Sequence, residues 1–187
     1  MALPERANGT DLYVLALPAA GDPVPNAWTL RTLADFPDTP DTRTRLYALV
    51  RQGVLDSPGS DGDFPDQAGF DAWIFGPSYW AEADTQVLAL DGDTWVGLSS
   101  LRRTDEPGVS SFGLTVVQPS HRGQGVALAV KRRALELAAA RGDRQVRTEV
   151  HPENAGMRAV NARLGFTRAP TAAQRSALQD LADDLQN

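Results

Sequence analysis

The stretch from Ser110 to Gly142 constrains this chain more than any other, because it runs a strand into a long helix through one short glycine-bearing turn. Ser110 to Val117 reads as the strand, Gly123 and Gly125 lie in the turn, and Gly125 to Arg141 is an Ala/Leu/Val/Arg-rich helix stopped at Gly142. At such a junction the first helical N–H groups have no intrahelical partner and the helix dipole favours negative charge, so the turn is a seat for an anion. GxxxxGK[ST] is absent and the GxGxxG spacing is not met, so the P-loop and dinucleotide-fold readings both fall.

Turn residues and periodicity place the other elements. Asp11 to Leu17 is a short apolar strand, set apart by the Pro- and Gly-rich residues 18–25, and Trp28 to Leu33 is a second strand. Leu46 to Val50 lies in a helix stopped at Gly53, and Pro65 opens a helical segment carrying Phe70, Trp73 and Ile74 that ends at Gly76. Thr85 to Leu90, Trp95 to Leu101 and Ser110 to Val117 are strands joined by hairpin-like turns, and Gln145 to Val150 is a further strand. Asn154 caps a helix bearing Met157, Val160 and Leu164, Phe166 begins a strand, and Ala172 to Leu185 forms an amphipathic helix. Hairpin-joined strands beside helix-joined strands imply an α/β fold with a mixed sheet.

With 187 residues the chain is about one domain, able to bury a core without staples. It has no Cys and only His121 and His151, which excludes thiol nucleophiles and Cys-based metal sites and leaves no basis for a metal centre. A formal net charge of −6 is the opposite of a nucleic-acid footprint. The opening MALPERANGT lacks a secretory pattern, and no window approaches the ~20 apolar residues of a membrane span, so a soluble cytoplasmic protein with no membrane partner is expected.

The turn Arg122-Gly123-Gln124-Gly125-Val126-Ala127 resembles motif A of the GCN5-related N-acetyltransferase (GNAT) superfamily: Gln or Arg, two residues, Gly, one residue, then Gly or Ala. Asn154 to Phe166, an Asn-capped helix ending in Leu164-Gly165-Phe166, resembles its motif B, and the version with Met157 and Asn161 is similar to tandem-domain and mycothiol-synthase-like members. The resemblance implies the GNAT (acyl-CoA N-acyltransferase) fold over residues 28–169, with an extension at 1–27 and a C-terminal helix at 170–187 packed on it. It implies acetyl-CoA as cofactor, its pyrophosphate on the backbone of Arg122, Gly123, Gln124, Gly125, Val126 and Ala127. Its pantetheine arm would lie along Val116, Val117 and Gln118, with Asn154 and Asn161 as further contacts.

Many members carry a Tyr where Asn161 stands, and an amide cannot replace the general acid, a group that typically contributes ~10²–10⁴-fold. Asn161 could still donate a hydrogen bond to the sulfur, and a thiol of pKa near 8.5 leaves tolerably without an acid. A backbone N–H at Val116 or Val117 is the natural oxyanion donor. The strand 110–117 carries no carboxylate, so the base is Glu149, His151, water, or Glu82 or Asp84 on the acceptor side. Glu149 as a solvated strand residue and His151 as a plain loop residue are the ordinary alternatives.

Phe64, Phe70, Trp73, Phe75, Tyr79 and Trp80 fall where the resemblance places the acceptor. Of these Phe64, Phe75, Tyr79 and Trp80, with Glu82, would bind it, and an acidic rim of Asp61, Asp63 or Glu82 suits a small cationic amine. The expected reaction is acetyl transfer to the primary amine of a small molecule; a non-catalytic CoA-binding or interaction module is the rival, and a protein or peptide N-acetyltransferase a third reading. The family usually adds a strand after Phe166, and here Pro170 follows instead. Leu12 to Leu17 is expected to fill that open sheet edge, in the same chain or exchanged within a homodimer.

Overall fold

Seven strands form one sheet in the computed structural model, which describes residues 10–17, 28–72 and 75–170. They are β1 (Asp11–Ala16), β2 (Thr29–Thr32), β3 (Gln86–Asp91), β4 (Thr94–Arg103), β5 (Val109–Val117), β6 (Gln145–Val150) and β7 (Thr167–Arg168), in the spatial order β2-β3-β4-β5-β6-β1-β7. Every pairing is antiparallel except β5 with β6. That exception follows from the connection, since parallel neighbours need a long crossover and the helix α4 (Val126–Ala140) supplies it.

The other helices are α1 (Pro40–Leu55), α2 (Gln67–Ala72), α3 (Phe75–Ala81) and α5 (Ala155–Arg163). Thr39 caps α1 by accepting the Thr42 N–H at 3.3 Å, and Pro40 sits at the first helical position, where its missing N–H costs nothing. Leu46 and Val50 then face Leu88, Leu98 and Val116 of the sheet, with Phe70 and Tyr79 completing this layer. Each such side chain, fully buried, stabilises the fold by roughly 1.5–3 kcal/mol. On the opposite face Val126, Val130 and Ala134 of α4 pack on Val87, Val96, Leu101, Phe112 and Val146. No helix among the described residues is long and apolar enough to cross a membrane.

Two sequence expectations are corrected. The helical segment does not end at Gly76, because α3 runs from Phe75 to Ala81 and Pro77 falls in its first turn, where a missing N–H breaks no helical bond. The N-terminal strand does not lie at the sheet edge. β1 pairs along its whole length with β6, Asp11 opposite Val150 to Ala16 opposite Gln145, and on its other side takes the short β7 at Tyr13 and Val14. It does so within the same chain, and the Arg168 guanidinium clamps the arrangement on the Asp11 carboxylate. The expected helix at 172–185, with Trp73 and Ile74, lies outside the described residues.

One feature of the sheet makes room for a site. β5 and β6 are paired only from Val109 opposite Gln145 to Phe112 opposite Thr148, although β5 continues to Val117 and β6 to Val150. Beyond Phe112 the two strands part. On the other side of β5, its register with β4 shifts between Ser99 and Leu101, a bulge at the same level.

Candidate active site

A cavity of about 610 Å³ opens where the strands part. Thr115, Val116 and Val117 of β5 form one wall, and the turn Arg122, Gly123 and Gly125 with the start of α4 forms the end. Asn154, Met157 and Val160 of α5 and its cap close a second wall, and Asp56, Ser57 and Pro58 after α1 close the third.

The end wall is built for an anion. Gly123 and Gly125 have φ of 75° and 83°, a region L side chains avoid, and nothing lies within 4 Å of the place a Cβ would take at either. The Ala129 N–H is the donor to the Gly125 carbonyl, at 3.0 Å, which leaves the N–H groups of Val126, Ala127 and Leu128 without intrahelical acceptors. All three residues line the cavity at the positive end of the α4 dipole. The Arg122 guanidinium lies across the mouth, donating to the Val117 carbonyl at 3.1 Å and to the Asp56 carboxylate at 2.5 Å. His121, which also lines the cavity, braces the turn, its ring nitrogens 2.9 Å from the Ser120 hydroxyl and 3.3 Å from the Asp91 carboxylate. An open, uncapped, glycine-floored cradle beside an arginine fits the pyrophosphate of CoA, and the β5 edge released from β6 offers backbone groups to an extended arm.

Of the expected cofactor contacts, Val116, Val117, Arg122, Gly123, Gly125, Val126, Ala127 and Asn154 line this cavity. Asn154 also caps α5, its Oδ1 accepting the Met157 N–H at 3.0 Å. The other three do not line it, although at Gln118 and Gln124 the expected contact is with the backbone, which their side-chain direction does not decide. Gln118 donates from Nε2 to the Trp95 carbonyl at 2.7 Å, which holds its side chain away from the cavity. Gln124 folds back, donating to the Ser120 carbonyl at 3.0 Å, and shapes the turn from outside. Asn161 is wholly buried with neither side-chain atom hydrogen-bonded, because α5 turns Met157 and Val160 to the cavity and Asn161 into the protein. The Tyr-to-Asn departure therefore does not place an amide on the cavity wall.

The base candidates separate on geometry. Glu149 is exposed on β6, one residue past the parting, and its carboxylate accepts the Thr10 hydroxyl at 2.7 Å. Because Phe112 lies opposite Thr148, strand alternation puts Glu149 on the same face as Gly113, the face that carries α1 and α2. His151 Nδ1 accepts the Glu153 N–H at 3.2 Å, which engages that ring nitrogen with the backbone. Its ring instead covers the 56–63 loop, 3.5 Å from where a Cβ on Gly59 would be.

Glu82 is not an acceptor group. Both its oxygens accept the Arg103 N–H, at 3.0 and 3.1 Å, and Arg141 reaches it at 3.2 Å, a network that joins the end of α4 to β4. Phe64 packs on Tyr47 and Phe70, with ring centroids 5.7 and 5.9 Å apart, and Trp80 is half-buried against the same layer. Tyr79 is buried, and burial pushes its phenol up to about 12. The side chain of Phe75 lies outside the described residues. Asp56, Ser57 and Pro58 carried no sequence signal beyond loop composition, yet they form a wall.

The sequence profile of the acetyltransferase (GNAT) family matches residues 53–166. Among solved structures, a GCN5-related N-acetyltransferase from Sphaerobacter thermophilus is similar at 20% identity and a TM-score of 0.66 over 86% of this chain and 48% of that one. A tandem GNAT protein from the clavulanic acid biosynthesis pathway is similar at 20% identity and a TM-score of 0.59, over 85% of this chain and 50% of that one. The acetyltransferase yncA from Salmonella typhimurium, solved with its cofactor acetyl-CoA, is similar at 20% identity and a TM-score of 0.59, over 76% and 80% of the two chains. The chain thus spans about half the length of the first two, and the likeness to all three is one of fold. No curated protein matches the chain. Since the matched stretch takes in the glycine cradle, the parted strands and the capped α5 together, the chain belongs to the acetyltransferase (GNAT) family.

Proposed function

We propose that this chain transfers an acetyl group from acetyl-CoA to the primary amine of a small molecule. The observation that carries the reading is that one cavity joins the anion cradle of α4 to the parting of β5 and β6, where Glu149 stands on the neighbouring face. The N–H groups of Val126, Ala127 and Leu128 would hold the pyrophosphate, with Arg122 beside them, and the unpaired edge of Thr115 to Val117 would align the arm. Acetyl-CoA would supply the acetyl group as a thioester, whose carbonyl carbon gains a C–N bond to the neutral amine as the C–S bond breaks and the thiolate departs. Glu149 would accept the proton that the ammonium form of the acceptor must lose, directly or through one water. No side-chain acid is required, since a thiol of pKa near 8.5 leaves as the anion at modest cost.

Asn161, standing where many members carry the tyrosine acid and buried away from the cavity, also suits a CoA-binding module without turnover. Calorimetry with CoA, followed by thiol release from acetyl-CoA against a panel of amines, separates the two. Release that depends on the amine supports the transferase; tight binding with release no faster than in buffer supports the module and ends the transferase reading.

A further inference from the structure

Arg102 of β4 has a use that neither the cradle nor Glu149 supplies. It is half-buried, and its guanidinium donates to the Ser78 hydroxyl of α3 at 3.3 Å. Arg43, Arg141 and Arg147, half-buried or buried, each face a carboxylate, whereas among the described residues Arg102 faces none. Next to it Ser100 is buried, its hydroxyl beside the Tyr79 phenol. The buried Tyr79 phenol adds a third polar group, and the charge of Arg102 and the Ser100 hydroxyl only partly offset the effect of burial on it, so it stays a protonated donor. A partly buried charge is costly until it is paired, and the guanidinium fork matches a carboxylate with two parallel hydrogen bonds.

The cluster is open on the side of the site. Gly113 of β5 is exposed, and a Cβ there would lie 3.1 Å from Arg102 Nη2 and 3.6 Å from Ser100 Oγ, so the missing side chain leaves the guanidinium open while Ser100 stays buried beneath it. Gly113 is the first residue beyond the last β5–β6 pair and stands two residues before Thr115 of the cavity wall, about 7 Å along the strand. One small molecule can span that distance. Of the acidic rim expected for a cationic acceptor, Glu82 is taken by Arg103 and Arg141.

We infer that Arg102 binds a carboxylate of the acceptor, which is therefore an amino-acid-like amine, held with its amine toward Glu149 and the parted strands. The amine rests on the transferase reading above; the carboxylate subsite does not. The test compares acceptors that differ only by the carboxyl group, lysine against cadaverine and 4-aminobutyrate against propylamine, in kcat/KM for thiol release. The wild-type protein is expected to favour the carboxylated member of each pair by roughly tenfold or more, the scale of one charge-assisted hydrogen bond. Arg102→Gln should bring that ratio toward one through KM, and Arg102→Lys should restore part of it. Equal rates for the members of each pair, or a loss in Arg102→Gln that leaves the ratio intact, would overturn the inference. If no amine is acetylated the transferase reading fails alone, and calorimetric titration of lysine into the CoA-loaded protein decides the subsite: binding abolished in Arg102→Gln upholds it, and no binding to the wild type overturns it.

Discussion

Arg122 and Asp56 meet across the mouth of the cavity, a guanidinium from the glycine turn on a carboxylate from the end of α1, at 2.5 Å. An incoming pyrophosphate must share or take that guanidinium, so Asp56 competes with the ligand. The pair is half-exposed, at 50% and 42%, and such pairs are worth about 0–1 kcal/mol. Asp56→Asn is therefore expected to tighten CoA binding by up to about fivefold at low salt, with the gain fading at ~1 M salt, where the screening length is about 3 Å. Calorimetry at two ionic strengths reads both; weaker binding by the variant would show that Asp56 orients Arg122 instead.

Gly125 stands at φ 83°, directly before α4. An Ala there forces a Cβ into the left-handed region at a cost of roughly 1–2 kcal/mol, and the turn relieves it by rotating the cradle N–H groups away. Gly125→Ala should lower the melting temperature by several degrees and weaken CoA binding at least about tenfold. A variant that melts early but binds CoA normally would remove the cradle from the site.

Lys131 of α4 is buried with its Nζ 3.8 Å from the centroid of the Phe112 ring, and burial pulls its pKa down to about 7. Between about 7 and the ordinary lysine value of 10.5 the unfolded chain holds a proton that the folded one has lost, so stability rises with pH there, by roughly 1 kcal/mol per unit. Lys131→Met should stabilise the protein most at pH 6 and progressively less toward pH 10. Melting curves at several pH values check this, and a pH-independent difference would mean the ammonium is better solvated than its packing indicates.

Glu149 is exposed, so Glu149→Gln should leave the melting temperature within a degree or two. If it takes the amine proton, kcat/KM should fall by about 10²-fold near neutral pH. The loss should narrow above pH ~10, where an amine is neutral unaided. An unchanged rate across the range assigns the proton to water.

Legibility followed the range of the signal. The glycine turn, the capped α5 and the hairpin strands are local patterns, and the cradle residues derived from them line the cavity. Side-chain direction was harder. Asn161 sits in the right segment, but the rotation of α5 turns it into the protein. Arg102 was invisible because its meaning depends on a bulge in the neighbouring strand and on the bare Gly113. Gly76 reads as a stop unless a helix is known to begin at Phe75, one residue before it. The partner of β1 lies more than a hundred residues away and leaves no mark near Asp11, so the strand was recognisable while its position within the sheet was not.

That position has a consequence for how the chain is made. The segment at Asp11–Ala16 leaves the ribosome well before either of its neighbours, Gln145–Val150 and Thr167–Arg168, which follow more than a hundred residues later. Until then it is an apolar ribbon with unpaired hydrogen-bonding edges, the kind of segment that associates with other nascent chains. Its insertion closes this sheet only after β6 and β7 have been synthesised, a high-contact-order step that slows folding and leaves the waiting strand dependent on protection from aggregation.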